Sequence, residues 1–339
     1  MAIRLKDIAR DLGISTVTVS KVLRGNQDIS EKTRARVLKR MQELNYKPNM
    51  LARGLASGRT YTVGLVVPDL VHPFFAEFAK SLAGTLRKAQ IALLLASSEE
   101  NADIEQQEIR TLLGRNVDAL LIASCQAQLK SFYELGDERT PFLLVDRNFP
   151  YLSAHFVGSD DYEIGHIATE HLVAIGRRRI AHIGGRSMSP SVERLRGYRD
   201  TLRHHQVESP EELIVTRERV EEAGDEAGYQ AMQELLALPS RPDAVFCYND
   251  LTAIGAMEAA RAAGLDVPHD VAFVGTGNLR YAKYLRVPLT SIDQEPELLG
   301  LRAGELALEM MAKPDLPSRT LLLPPRLVVR QSSAGTPLA

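Results

Sequence analysis

Residues Leu5 to Leu23, LKDIARDLGISTVTVSKVL, leave few folds open. Leu5, Ile8, Ala9 and Leu12 recur at the spacing that puts apolar side chains on one face of a helix. Gly13 ends that helix, because glycine enters the left-handed backbone region without steric cost. Ser15 then caps a second helix through its hydroxyl. Within it, Val19, Val22 and Leu23 share an inner face, while Thr16, Val17, Ser20 and Lys21 point outwards. Two structures satisfy this pattern. One is an ordinary helical hairpin with a solvated face. The other is a helix-turn-helix, which offers its second helix to the DNA major groove.

Charge separates the two. Residues 1–60 hold 13 Lys and Arg against 5 Asp and Glu, a net +8, whereas the remainder carries a net −10. A basic segment ahead of an acidic body is the balance expected of a module that meets a polyanion. Ser30 caps a third helix, SEKTRARVLKRMQELNY, with Val37, Leu38, Met41 and Leu44 inward and Pro48 as its stop. Asn49 to Ala56 is a short run of helix formers, marginal in water unless a partner orders it. Ser57 to Thr60 has linker composition.

From Tyr61 the pattern changes to apolar strands alternating with amphipathic helices: YTVGLVV, IALLLAS, DALLIAS and FLLVD, then a restart from HFVGS through RRIAHIGG, AVFCYND and VAFVGTG. Such a rhythm predicts parallel sheets covered on both faces, here as two successive doubly wound lobes with a cleft between them. Open sheets of this kind bind ligands beyond the carboxyl ends of their strands. The residues there are Asp69, Asp146-Arg147, Asp160-Asp161, Asn249-Asp250 and Thr276-Gly277-Asn278, a set suited to a small hydrophilic ligand. The tail from Gln331 is small and polar and is expected to be disordered. Length divides accordingly: a helix-turn-helix domain at 1–47, a hinge at 48–60, a two-lobed core at 61–330 and a tail at 331–339.

The order of parts LKDIARDLGISTVTVSKVL, SEKTRARV, LNYKPNMLARGLASGRT, VGLVVPD, FFAE, VDR, ERLRGY, ND and PLTSIDQ resembles the lac-repressor type (LacI/GalR) family of bacterial transcription regulators. The similarity spans essentially the whole chain except the tail. It implies an N-terminal all-α helix-turn-helix domain, a hinge helix, and an α/β core of two doubly wound lobes like a periplasmic binding protein. It also implies a homodimer on a palindromic operator and a small-molecule effector. By matching positions, Thr16, Val17 and Lys21 read bases, and Ser20, Ser30, Lys32, Thr33 and Asn49 hold phosphates. Leu55, with Ala52 and Arg53, falls where the family's hinge enters the minor groove. In the core, Phe74, Phe75, Asp146, Arg147, Arg194 and Asn249 match effector-contacting positions. Two departures stand out. Gly54 lies inside the hinge segment, where glycine costs roughly 1 kcal/mol relative to alanine. Gly277 replaces the family's aspartate in the stretch Gly275-Thr276-Gly277-Asn278.

Rival classes fare worse. The chain has no phosphate-binding loop, no GxSxG and no HExxH, so an enzyme is not expected. His166 and His171 are five apart and do not share a helix face, so neither a metal nor a cofactor is called for. A solute-binding protein of a transport system shares the core but starts with a secretion signal rather than a basic module. No apolar run suits a bilayer span, and Cys125 and Cys247 do not suggest a disulfide framework, so a cytoplasmic regulator is expected. Repression is the expected outcome, with effector binding shifting lobe closure. Asp69, Asp146, Arg147, Asp161, Arg194 and Asn249 are read as the cleft, with Phe74 and Phe75 as its apolar wall. Two arginines and the missing aspartate tip the expected effector, a sugar or sugar derivative, towards an acidic or phosphorylated compound.

Overall fold

The structure, a computed structural model, describes residues 3–23, 26, 28–46, 58–126, 132, 140–149, 151–185, 188–313 and 315–334. It forms two compact units, Met1–Thr60 and Tyr61–Ala339. In the first, α1 (Leu5–Leu12), α2 (Thr16–Leu23) and α3 (Glu31–Glu43) surround Ile8, Ala9, Val19, Val22, Val37 and Met41. Two expectations need correction here. Leu38 is 50% exposed rather than inward, because Val37 and Met41 already define the buried face of α3. The helix also ends at Glu43, well before Pro48: Asn45 takes a left-handed φ of 47°, and the Tyr46 N–H turns back to the carbonyl of Met41. The hinge expectations on Asn49, Ala52, Arg53, Gly54 and Leu55 lie outside the described residues.

The second unit is built from two six-stranded sheets. The first sheet holds β1 (Thr62–Val67), β2 (Ala92–Ser97), β3 (Ala119–Ile122), β4 (Phe142–Val145), β5 (His155–Ser159) and β11 (Thr320–Leu323) in the order β2-β1-β3-β4-β5-β11, all parallel. Helices α4 (Pro73–Lys88) and α10 (Pro296–Ala312) cover one face, and α5 (Ala102–Gly114) the other. The second sheet holds β6 (Ile180–Gly184), β7 (Ile214–Thr216), β8 (Ala244–Cys247), β9 (Ala272–Thr276), β10 (Thr290–Asp293) and β12 (Arg326–Val328) in the order β7-β6-β8-β9-β10-β12. Only β12 runs antiparallel in it. Helices α6 (Asp161–Ala174) and α7 (Ser189–His204) cover one face, α8 (Gly224–Leu236) and α9 (Asp250–Ala262) the other.

The lobes are therefore interleaved, not successive. HFVGS, read above as the start of the second half, is β5 and sits between β4 and β11 of the first sheet. The chain crosses between lobes at Asp160, at Gln294-Glu295 and at Pro324-Pro325. Alternation of strand and helix identifies each strand but carries no information on which sheet takes it, and that is why the pattern alone misplaced β5. The tail expectation also fails for its first four residues. Gln331–Ala334 form a helical turn, α11, in which the Ser332 hydroxyl donates to the carbonyl of Phe273 at 2.7 Å. Ser333 meets Thr290 and His171, each at 2.7 Å. Polarity was misread as solvation, because these hydroxyls satisfy buried groups of β9, β10 and α6.

Candidate DNA-reading face and effector cleft

The start of α2 is fixed by local bonds. The Ser15 hydroxyl accepts from the Thr18 N–H at 3.0 Å and pairs with the Thr18 hydroxyl at 2.9 Å, which is an N-cap. Gly13, at φ 65°, closes α1 just before it. With Val19 and Val22 buried beneath, Thr16 and Val17 face outwards, and Val17 is 62% exposed. An aliphatic side chain so exposed suits contact with a thymine methyl. Ser20 and Lys21 are half-buried beside them, and Lys21 forms an ion pair with Asp28 at 2.5 Å. That bond holds the Asp28 carboxyl below its ordinary range. Ser30 caps α3 through the Thr33 N–H at 3.3 Å, and Lys32 is exposed next to them. Arg40 ties α3 to α1 by pairing with Asp11 at 2.7 Å.

In the core, the strand ends of both sheets converge and their side chains bond across the gap. The Arg147 guanidinium, just after β4, reaches Glu221 of the second lobe at 3.1 Å and donates to the carbonyl of Ser124 at 3.2 Å. Glu100 returns the connection, accepting from the N–H groups of Glu221 and Glu222 at 3.2 and 3.4 Å. His72, ahead of α4, lies 3.3 Å from the other Glu221 oxygen and 3.4 Å from the Asn249 amide. The Tyr248 hydroxyl also donates to Glu221 at 3.1 Å, and the Asn148 N–H donates to the Ser189 hydroxyl at 2.7 Å. Behind this layer, Arg194 pairs with Asp161 at 2.8 Å and donates to the carbonyl of Tyr248 at 2.7 Å. Two glycines set that pair. A Cβ on Gly165 would stand 2.0 Å from the Arg194 carbonyl, and one on Gly197 2.2 Å from the Tyr162 carbonyl. Backbone contact between α6 and α7 is what brings residues 161 and 194 together.

Burial shapes the charges. It pushes the Asp146 carboxyl up to about 7, helped by repulsion from Asp161, and Asp161 itself up to about 6 against the pull of Arg194. Glu100 is raised by burial and by Glu221. Burial lowers His72 against the pull of Glu221 and Asp69. It opposes the charge on Glu221 too, yet His72, Arg147 and Arg194 hold that carboxyl below its ordinary range. A cavity of about 560 Å³ opens beside this centre, lined by Gln126, Arg147, Asn148, Ser159, Asp161 and Ser189 on its polar side and by Phe149, Phe156 and Met188 on its apolar side.

The expected cleft residues thus divide. Asp146, Arg147, Asp161, Arg194 and Asn249 gather at the lobe boundary, and Asp69 turns its carboxylate to the Val71 N–H at 3.0 Å near His72. Phe74 and Phe75, the expected apolar wall, lie beside His72 on the first lobe's side. Both are buried in the first lobe's core with Val67 and Phe78, and His72 stands against the Phe75 ring at 5.8 Å. The two arginines read as free for an anion each already hold a carboxylate. Asp250 braces the loop after β9, accepting from Ser291 at 2.6 Å and from the Leu279 N–H at 2.7 Å. Gly277 sits there at φ 122°, so a side chain at this position is strained. Glu221, Glu100, His72 and Tyr248 went unnoticed. Glu221 lies in ERVEEAG, which reads as a solvated charge run, and His72 stands further beyond the end of β1, at Val67, than Asp146, Asp160 and Asn249 stand beyond their strands.

A helical unit exposing a capped, outward-facing helix, followed by two interleaved Rossmann-type lobes meeting at their strand ends, defines a class: DNA-binding regulators with a ligand-sensing core. Family models match both parts. Residues 4–49 match bacterial regulatory proteins of the lacI family, and residues 169–333 match a periplasmic binding protein-like domain. The chain is 35% identical to the ribose operon repressor of Haemophilus influenzae over 330 residues, 97% of this chain and 98% of that one. It is 33% identical to the HTH-type transcriptional regulator GalR of Escherichia coli over 334 residues, 98% and 96% of the two chains. The lac repressor dimer bound to operator and the anti-inducer ONPF superposes with a TM-score of 0.85 at 25% identity, covering 98% of this chain and 99% of that one. The transcriptional regulator CelR in complex with cellobiose gives 0.73 at 31% identity, covering 97% and 99%. The chain belongs to the lacI family of bacterial regulatory proteins. It is a DNA-binding transcriptional repressor that answers to a small-molecule effector. Among the described residues no helix is long and apolar enough to cross a membrane.

Proposed function

We propose that the chain works in the cytoplasm as a homodimer, without enzymatic activity, and represses by seating one α2 in each half of a palindromic operator. Thr16, Val17 and Lys21 meet base edges; Ser20, Ser30, Lys32, Thr33 and Asn49 hold phosphates. Leu55, flanked by Ala52 and Arg53, enters the minor groove. The effector, a sugar or related metabolite, binds at the lobe boundary among Asp146, Arg147, Asp161, Arg194 and Asn249, with Asp69 beside His72. Because the bonds through Glu221, Glu100 and Asn148 exist only when the lobes are together, a ligand there has different affinity for open and closed cores. That difference is what shifts an equilibrium.

The observation that carries the DNA reading is Val17, an aliphatic side chain 62% exposed on the outer face of a capped helix, inside a segment of net charge +8. Lys21 gives the test. It must leave Asp28 to reach guanine O6 and N7, and an exposed pair of this kind resists by no more than about 1 kcal/mol. Lys21→Ala is expected to cost about 1–3 kcal/mol in operator affinity and to relax preference at one base pair per half-site. Selection on random DNA reads this out; identical motifs for parent and variant would remove α2 from the major groove.

A further inference from the structure

The lobe boundary buries more negative charge than positive. Glu100, Asp146, Asp161 and Glu221 stand against Arg147 and Arg194, with all six side chains at most 9% exposed. Two atoms in the same place have no hydrogen-bond partner: Nε of Arg147 and Nδ1 of His72. Their chemistry differs. The guanidinium N–H needs an oxygen. Nε2 of the imidazole lies 3.3 Å from a Glu221 oxygen and 3.4 Å from the Asn249 amide nitrogen, and Nδ1 is the ring nitrogen left without a partner. The cavity of about 560 Å³ that Arg147 and Asp161 line is within the size range of small-ligand sites.

We infer that the effector is a polyhydroxy compound bearing a protonated amine, an amino sugar in chemical terms, rather than a neutral sugar or a sugar acid. The inference rests on the effector site proposed above. The amine lies against the Asp161 carboxylate, which lines the cavity, and its positive charge also favours ionisation of Asp146, which Asp161 repels. A ring hydroxyl oxygen accepts from Arg147 Nε–H, which lacks a partner. Buried carboxylates without a counter-charge are costly, so the ligand that neutralises them gains most from the site. An acid or a phosphate brings a further anion to carboxylates that burial already resists ionising.

The test is calorimetric titration of the full-length protein at pH 6 with glucosamine, galactosamine and mannosamine, each against its parent hexose, gluconate and glucose 6-phosphate. Two buffers of different ionisation enthalpy count the protons exchanged. At least one amino sugar is expected to bind roughly ten-fold or more tighter than its parent hexose. It is expected to release protons, because Asp146, facing Asp161, Arg147, Arg194, Glu221, Glu100 and His72, is partly protonated at pH 6 and ionises against the amine. Asp146→Asn should remove both the preference and the proton release. Tighter binding of a parent hexose or an acid that Asp146→Asn alters would overturn the inference while keeping the site. A binder indifferent to Asp146→Asn would move the site itself elsewhere. Silence of every amine would overturn the inference.

Discussion

The helical unit and the lobe boundary solve opposite problems. In the first, the groups that act stay in water, and short-range bonds hold them: Ser15 to Thr18 spans three residues, Ser30 to Thr33 three more. In the second, the groups that act are buried, and their partners are distant in sequence: Asp161 and Arg194 are 33 apart, Arg147 and Glu221 are 74 apart. Exposed pairs such as Lys21–Asp28 contribute little and exchange readily with a phosphate or base. Buried pairs are costly to break. A repressor needs both behaviours, one surface that trades partners easily and one switch that does not drift.

The largest effect expected from this contrast is at Arg194. Removal of one partner of a buried pair strands the other charge, so Arg194→Ala should destabilise the core by about 3–5 kcal/mol. Replacing both, as Arg194→Met with Asp161→Leu, should recover most of that loss. Sequence analysis places Arg194 among the effector contacts; its bonds to Asp161 and the Tyr248 carbonyl predict a folding defect as well. Urea unfolding of the full-length chain decides: a loss below 1 kcal/mol would mean that the lobe boundary tolerates charge as a surface does.

Next comes pH. Asp146 has its pKa raised from 3.8 to about 7 on folding, so the folded state holds more protons than the unfolded one between those values. Stability from this group is therefore present at low pH and falls as pH rises from about 4 to 7. Asp146→Asn cannot ionise, and at pH 8 it should exceed the parent by on the order of 1–3 kcal/mol, the advantage shrinking towards pH 4. Thermal melts across that range measure it. A variant equally disadvantaged at both ends would show that Arg147, 3.9 Å away, fully compensates the carboxylate.

The same contrast explains what could be read in advance. Helix α2, its cap and its outward face follow from residues within one or two turns of each other, and sequence periodicity captures such relations. Strand ends followed by Asp146-Arg147 or Asn249 were also legible, because parallel sheets place ligands there whatever their connections. Glu221 was not. Its role depends on β5 belonging to the first sheet and on the loop after β7 folding over Glu100, and neither fact leaves a local trace. Phe74 and Phe75 mark a related limit: an aromatic near a strand end is as good a core residue as a wall, and both rings pack in the first lobe's core.

The smallest expected effect tests the exposed side of the comparison. Loss of the Ser15 hydroxyl leaves the Thr18 N–H without its cap, and Ser15→Ala should cost about 1 kcal/mol. In hydrogen exchange on the full-length chain, amides of residues 16–23 should exchange roughly five-fold faster, with no change in the core. Ser15→Asp separates structure from binding. Its carboxylate keeps the cap and favours the positive end of the α2 dipole, so exchange should stay as slow as in the parent or slower. The same charge faces DNA if α2 enters the groove with its N-terminus leading, and operator affinity should fall. Faster exchange in Ser15→Asp would show that the cap is not what orders α2. Undiminished operator affinity would show that the first turn of α2 points away from DNA, and Thr16 and Val17 would lose their place at the base edges.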